Sequence, residues 1–383
     1  MSVAVSGEGA GTAPTRGARG GSVPAPTAAS TDAARATAAD PRAAGRLPLR
    51  LTWILAGLAL LVLLSAASLA FGVRGVSFGD ILAALGGRTA TVSEAAVAAR
   101  IPRTVLALLV GAALAIAGTA MQAVTRNPLA DPGLLGISGG ASLAVVIGLA
   151  FFGLSAPVST LFIAMAGAAV AAVFVYAVGS LGGGGATPLK LALAGAATSA
   201  ALLSLVSAIL LPRVDVMAQF RFWQIGGVGG ADWGRIALVA PGLVVGALIC
   251  FATARGMNGL ALGDELATGL GINVLRTRLL AGLGSVILCG AATAVAGPIG
   301  FVGLVVPHLC RLLFGSDHRW LLPASAIAGS ALLVASDVVG RLIARPAEVE
   351  VGIVTAVIGA PVFIWIVRRG ATGRGMSGSG RAR

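Results

Sequence analysis

The sequence predicts an all-α polytopic membrane protein with about ten transmembrane helices and both termini cytoplasmic. Three observations carry this reading: a scarcity of charge, repeated apolar runs of bilayer length, and the placement of arginine around those runs. Charged residues make up 11% of the 383 residues, where soluble proteins average about 25%. Apolar residues make up 57% and aromatics 5%. Too little charge remains to coat a globule of this size, so most of the surface must face lipid. Collagen-like, disulfide-scaffold, disordered and ordinary cytosolic classes are excluded.

Residues 1–46 are built from Ala, Gly, Ser, Thr, Pro and Arg with almost nothing large and apolar. Such a segment cannot offset its conformational entropy, so a disordered cytoplasmic tail is expected there. It is too long and Pro-rich for a signal-peptide n-region. A transmembrane domain follows over 47–369, and 370–383 form a second disordered tail. A spanning helix needs about 20 mostly apolar residues. Stretches at 50–72, 102–124, 134–152, 157–179, 189–211, 234–254, 278–297, 299–315, 321–343 and 349–367 qualify, some weakly. Uncharged runs without period-two alternation point to helices rather than a barrel. Abundant Gly and Ala let helix backbones approach closely. Pro298, Gly300, Gly303 and Pro307 predict a short, bent or interrupted helix over 298–311.

Ten spans with the amino terminus inside put 18 basic residues on the cytoplasmic side and nine outside, in accord with the positive-inside rule. The loops alone are nearly balanced, so the orientation leans on the tails. Trp53, Trp223, Trp233, Trp320 and Trp365 fall at span ends, where indole prefers the headgroup layer. The net charge of +13 is spread over tails and gaps rather than in one stripe, so nucleic acid is not an expected partner. Cys250, Cys289 and Cys310 lie inside apolar runs and read as small buried hydrophobes.

The energy source must come from elsewhere. A Walker A loop needs a Lys followed by Ser or Thr after a Gly-rich turn. The only lysine, Lys190, is followed by Leu191. The chain is therefore not expected to be an ATPase, and no cofactor or metal is implied. Ion-coupled carriers bury carboxylates near the midplane, but the clearest intramembrane acid, Asp337, has Arg341 four residues on and reads as half of an ion pair. His308 and His318 lack a second ligand at useful spacing.

Four segments carry a specific resemblance. The first runs from Arg100-Ile-Pro-Arg103 through Val110–Gly118 and Met121-Gln122 to Arg126-Asn-Pro-Leu-Ala-Asp-Pro132 and Leu134–Ser138. The second is Ala261–Gly271, and the third is Gly297–His308 followed by Asp317-His-Arg319. The fourth joins Asp337–Arg341 to Glu350–Thr355 and Gly359-Ala-Pro361. Together they resemble the FecCD, or type II, permeases of ABC importers for iron–siderophore complexes, haem and cobalamin, over about residues 48–369. The resemblance implies a multi-pass protein of the cell membrane, held among membrane lipid. Its partners would be a second permease subunit (identical or paralogous), an ABC ATPase dimer inside, and an extracytoplasmic substrate-binding protein. The implied cargo is an iron–siderophore complex, with haem or cobalamin as family alternatives and an ion-coupled secondary carrier as the reading from another class.

Residue by residue, the resemblance places ATPase coupling at Gly263, Asp264, Glu265, Ala267, Leu270 and Gly271. The acidic pair suits the positive end of a short helix that Gly271 can stop. Arg100, Arg103 and Arg341 match positions that pair with carboxylates of the binding protein, which favours docking over the plainer reading of snorkelling or local pairing. Asn127 and Leu129 match an inner gate, with Pro128 holding Asn127 out of a helix, and Thr187 is a weaker gate candidate. Phe220, Phe222 and Trp223 lie in an outer segment that resembles the family's re-entrant helix.

Overall fold

The computed structural model describes residues 46–181 and 187–375. Among the described residues the regular structure is entirely helical. Ten helices occupy the ten predicted places: α1 (Arg46–Ala70), α3 (Val92–Thr125), α4 (Ile137–Phe152), α5 (Pro157–Ser180), α6 (Pro188–Leu210), α8 (Trp233–Ala252), α11 (Val274–Ala296), α12 (Val302–Phe314), α13 (His318–Ile343) and α14 (Val351–Gly375). Seven of them are long and apolar enough to cross a membrane; α4, α12 and the Val351–Ile366 part of α14 are shorter apolar segments. The expected tail over 1–46 lies outside the described residues except for Arg46, which opens α1. At the other end α14 continues to Gly375, six residues into the segment expected to be a tail.

Four short helices escape a search for spans: α2 (Phe78–Leu85), α7 (Val214–Ile225), α9 (Ala254–Leu260) and α10 (Asp264–Gly269). Of these, α7 holds the segment that resembles a re-entrant helix and α10 the Gly263–Gly271 motif. The sequence signals the start of α2 by a capping box, in which Ser77 Oγ accepts from Asp80 N (3.2 Å) and Asp80 Oδ2 accepts from Ser77 N (2.8 Å). Thr91 and Glu94 repeat the device at the start of α3. Two orphan N–H groups are satisfied reciprocally each time. Hydropathy alone placed the start of α3 ten residues late, because its first turns are polar.

Helix α3 is the central post. Its 34 residues give a length of about 51 Å, more than the hydrocarbon core of about 30 Å. It packs against α13, α11, α12, α2 and α8, and 78% of its most apolar window is buried, against 6% for α1. Lipid provides no hydrophobic drive between helices, so association depends on close packing. A Cβ on Gly111 would lie 2.8 Å from the Cα of Ser330, and one on Gly118 would lie 2.5 Å from the Cα of Gly303. The first contact seats α13 on the post and the second seats α12. Gly140 and Gly167 make the same kind of crossing between α4 and α5, and Gly246 and Gly284 between α8 and α11.

The irregular stretch is present as predicted. Helix α11 stops at Ala296, and α12 starts only at Val302, after Phe301 in the left-handed region at φ 70°. Gly227 N donates to Ala296 O (2.7 Å) and Gly352 N to Gly226 O (3.0 Å), so the loop after α7 stitches the ends of α11 and α14.

If these backbone crossings hold the bundle, Gly118→Ala destabilises the purified protein by about 1–3 kcal/mol through overpacking. Gly282→Ala, where an added Cβ meets open space, leaves thermal unfolding in detergent unchanged or slightly raised.

Candidate functional site

Charged and polar side chains collect at the two ends of α3. At one end Arg100 and Arg103, a turn apart on α3, meet Asp337 and Arg341, a turn apart on α13. Asp337 Oδ1 accepts from Arg103 Nε (3.0 Å) and Nη2 (2.7 Å), and Arg341 Nη2 lies 2.8 Å from Asp337 Oδ2. The expected Asp337–Arg341 pair is there, with Arg103 as a second cation. Arg103 also reaches Glu348 Oε2 at 2.7 Å.

The remaining donors go to the end of α1. Arg341 Nη1 donates to the carbonyls of Ser68 (3.0 Å) and Phe71 (3.2 Å). Arg100 donates to those of Leu69 (2.8 Å), Ala70 (3.2 Å) and Arg74 (2.7 Å), and Arg345 to that of Gly72 (2.6 Å). A helix leaves its last carbonyls without partners and concentrates negative charge there. Three guanidinium groups supply both donors and charge. This fixes α1, which otherwise buries little of its surface. Arg100 and Arg341 are accordingly 7% and 2% exposed, with both guanidinium groups engaged in local hydrogen bonds. Arg103, with its side chain 14% exposed, stands nearest the surface. A cavity of about 280 Å³ beside it is lined by Arg74, Arg100, Arg103, Arg341 and Glu348. Four guanidinium groups against one lining carboxylate favour an anion there.

At the other end, α3 stops at Thr125 and Arg126 turns left-handed at φ 49°. Asn127 Oδ1 accepts from Leu129 N (3.0 Å) and Ala130 N donates to Asn127 O (3.1 Å), closing an exposed turn over a half-buried Leu129. Asp131 then caps a 3₁₀ turn, Pro132–Leu135, through Gly133 N at 2.7 Å. Burial raises the Asp131 carboxyl above its ordinary pKa, and the Gly133 N–H opposes that shift. Thr187 caps α6, accepting from Lys190 N at 3.4 Å.

Arg126 reaches across to Asp264, the first residue of α10, and Arg278 Nη2 meets the same carboxylate at 3.0 and 3.1 Å. Asp264 thus joins α10 to α3 and α11 as well as favouring the helix start. Gly263 adopts φ 107° and Gly271 φ 76°, values that side chains with a Cβ rarely take. Between them Ala267 is fully buried while Glu265 and Leu270 are exposed. Leu262, Leu266 and Leu275 are 55%, 64% and 64% exposed around α10. These leucines lie exposed near the charged Asp264 and Glu265. Of the exposed leucines here the sequence motif singles out Leu270 but not Leu262, Leu266 or Leu275. The sequence reading also missed Asn258, whose Oδ1 meets His318 N and Nδ1 (2.8 Å each) and whose Nδ2 donates to Asp317 Oδ1 (2.6 Å), tying α9 to α13.

A bundle of apolar helices of bilayer length defines a polytopic membrane protein, and the family match makes it a transmembrane permease of the type II importer kind. A family model for the FecCD transport family matches residues 60–369, and the chain belongs to that family. It is 44% identical to the ferric enterobactin transport system permease protein FepD of Escherichia coli K12, over 82% of this chain and 95% of that protein. It is 41% identical to a protein named "Probable siderophore transport system permease protein YfiZ" of Bacillus subtilis 168, over 83% of this chain and 97% of that protein. With the hemin transport permease HmuU of Yersinia pestis the identity is also 41%, over 70% and 82%. A solved structure described as an inward-facing metal-chelate type ABC transporter superposes with a TM-score of 0.72 at 27% identity, covering 83% of this chain and 99% of that one.

Removing the charge at the centre of the first cluster tests its energetics. Asp337→Asn leaves Arg103 and Arg341 short of a buried counter-charge and costs about 3–5 kcal/mol. Glu348→Gln, at a partly exposed pair, costs about 1 kcal/mol or less. Thermal unfolding of the two purified variants measures the difference.

Proposed function

We propose that this chain is the membrane-embedded half of an importer for ferric siderophores in the cytoplasmic membrane. It would work in pairs, around a pathway between two permease subunits, with ATP hydrolysed by separate subunits. The observation that carries this reading is α10: a short helix framed by two positive-φ glycines, pinned by Asp264, with exposed leucines beside it. That is a rigid knob suited to a protein socket. It is joined to the two central helices α3 and α11 through Arg126 and Arg278, so a push on it reaches the bundle core.

The siderophore assignment draws on the carriers of ferric enterobactin and other siderophores among the relatives. Haem remains the nearest alternative cargo, through HmuU. The buried carboxylate Asp337 is held by two arginines, which disfavours an ion-coupled carrier. We assign the Asn127–Leu129 turn to an inner gate, since it closes the end of α3 next to Arg126; Thr187 is the weaker gate member. At the opposite end, a carboxylate of the binding protein is proposed to enter the arginine-lined cavity beside Arg103, with Arg100 and Arg341 shaping its walls. That end would face outward, with both termini inside.

Three experiments test this reading. Ala267→Leu is expected to displace α10 and abolish siderophore-dependent growth while the protein still reaches the membrane; uptake at the parent level would refute the coupling role. Arg103→Glu is expected to weaken binding-protein association at least about tenfold at low salt, with the loss shrinking as salt screens it. An unchanged affinity removes Arg103 from the docking site. Uptake of labelled ferric siderophores and haem by cells lacking the gene separates the cargo alternatives.

A further inference from the structure

An open apolar groove runs along the outside of the bundle between α5 and α11, touching α3 and the first turn of α6. Its volume is about 810 Å³, in the range of ligand pockets. The floor is made of small residues, among them Ala168, Ala172, Gly282 and Gly290. The two helices run in opposite directions along it: Ala168 faces Gly290 at one end (3.5 Å from its built Cβ), while Ser180 and Arg278 line the other. Twelve residues separate the ends on each helix, a rise of about 18 Å. One leaflet of hydrocarbon is about 15 Å deep. The groove therefore has the length of a single acyl chain.

One end is charged. Arg278 lines the groove, its Nε is buried without a hydrogen-bond partner, and its Nη2 is held by Asp264. Arg126 closes on the same Asp264, so two cations share one carboxylate. Arg276 adds another exposed cation on the same turn, opposed by exposed Glu265. Counted together, Arg126, Arg276 and Arg278 against Asp264 and Glu265 leave one net positive charge around this end, of which Arg278 lines the groove itself.

We propose that this groove is a binding site for an anionic diacyl phospholipid, with one acyl chain along α5 and α11 and the phosphate against Arg278. Since Arg278 also holds Asp264, a bound headgroup would sit next to the contact that anchors α10. The site shares Arg278 with the coupling contact proposed for α10 and does not depend on which cargo is carried.

The test is native mass spectrometry of the purified full-length protein in detergent, titrated with phosphatidylglycerol, phosphatidylcholine or inorganic phosphate. One phosphatidylglycerol per chain is expected to be retained about tenfold more tightly than phosphatidylcholine, whose phosphate could make the same contact but whose choline cation is repelled by the arginines around it. Arg278→Gln should erase that preference, and Gly282→Leu should weaken both lipids by filling the groove. Gly282→Leu, at a position open to space, keeps the test available should Arg278→Gln fail to fold. Equal retention of the two lipids, an intact preference in Arg278→Gln, or displacement of phosphatidylglycerol by inorganic phosphate alone would overturn the proposal. So would a Gly282→Leu protein that keeps its lipid but loses self-association, which would give the groove to a second copy of the chain.

Discussion

The bundle depends on how closely other backbones approach α3. Within hydrocarbon, apolar side chains gain little by leaving lipid for protein, so helices associate where their shapes allow dense contact. Gly111 against the backbone at Gly329 and Ser330, and Gly118 against Gly303, bring α13 and α12 onto the post with nothing but backbone between them. Everything at the ends of α3 inherits its position from those two contacts. Arg103 meets Asp337 because α13 is seated at Gly111, and the turn at Asn127 sits where it does because α3 is held along its whole length.

The two ends solve different problems with the same residue type. At the α1 end, arginines serve as donors to carbonyls that a helix terminus leaves without partners, and as countercharge to a buried carboxylate. Arginine suits that task because its planar fork presents several donors at once and stays charged when desolvated. At the α10 end, Arg126 and Arg278 converge on one half-exposed carboxylate. The first arrangement locks a peripheral helix to the core. The second ties a surface knob to both central helices, and surface ion pairs of this kind contribute geometry more than stability.

The platform around α10 combines rigidity with exposure. Positive-φ glycines at 263 and 271 set the entry and exit of a six-residue helix, and buried Ala267 seats it. Its leucines have no partner among the described residues that buries them. The groove between α5 and α11 reaches the same neighbourhood through Arg278, so lipid and protein surfaces meet at one side chain.

Composition and run length determined the helical class and the ten apolar segments, because charge scarcity and the thickness of a bilayer act on each segment independently of its neighbours. The Pro and Gly cluster at 298–307 marked the broken helix for the same local reason, and the capping boxes at Ser77 and Thr91 were legible to anyone reading past hydropathy. The motif at 263–271 was visible as a capped acidic turn. What tertiary structure alone decided is where each long polar side chain ends up. Arg103 binds an acid 234 positions away, Arg341 reaches the carbonyls of Ser68 and Phe71, and Asp264 takes its partners from α3 and α11. A guanidinium can extend to any acceptor within its reach, so its role is set by which helix ends are brought beside it. That choice was made by glycine contacts along α3 whose partners no single segment specifies.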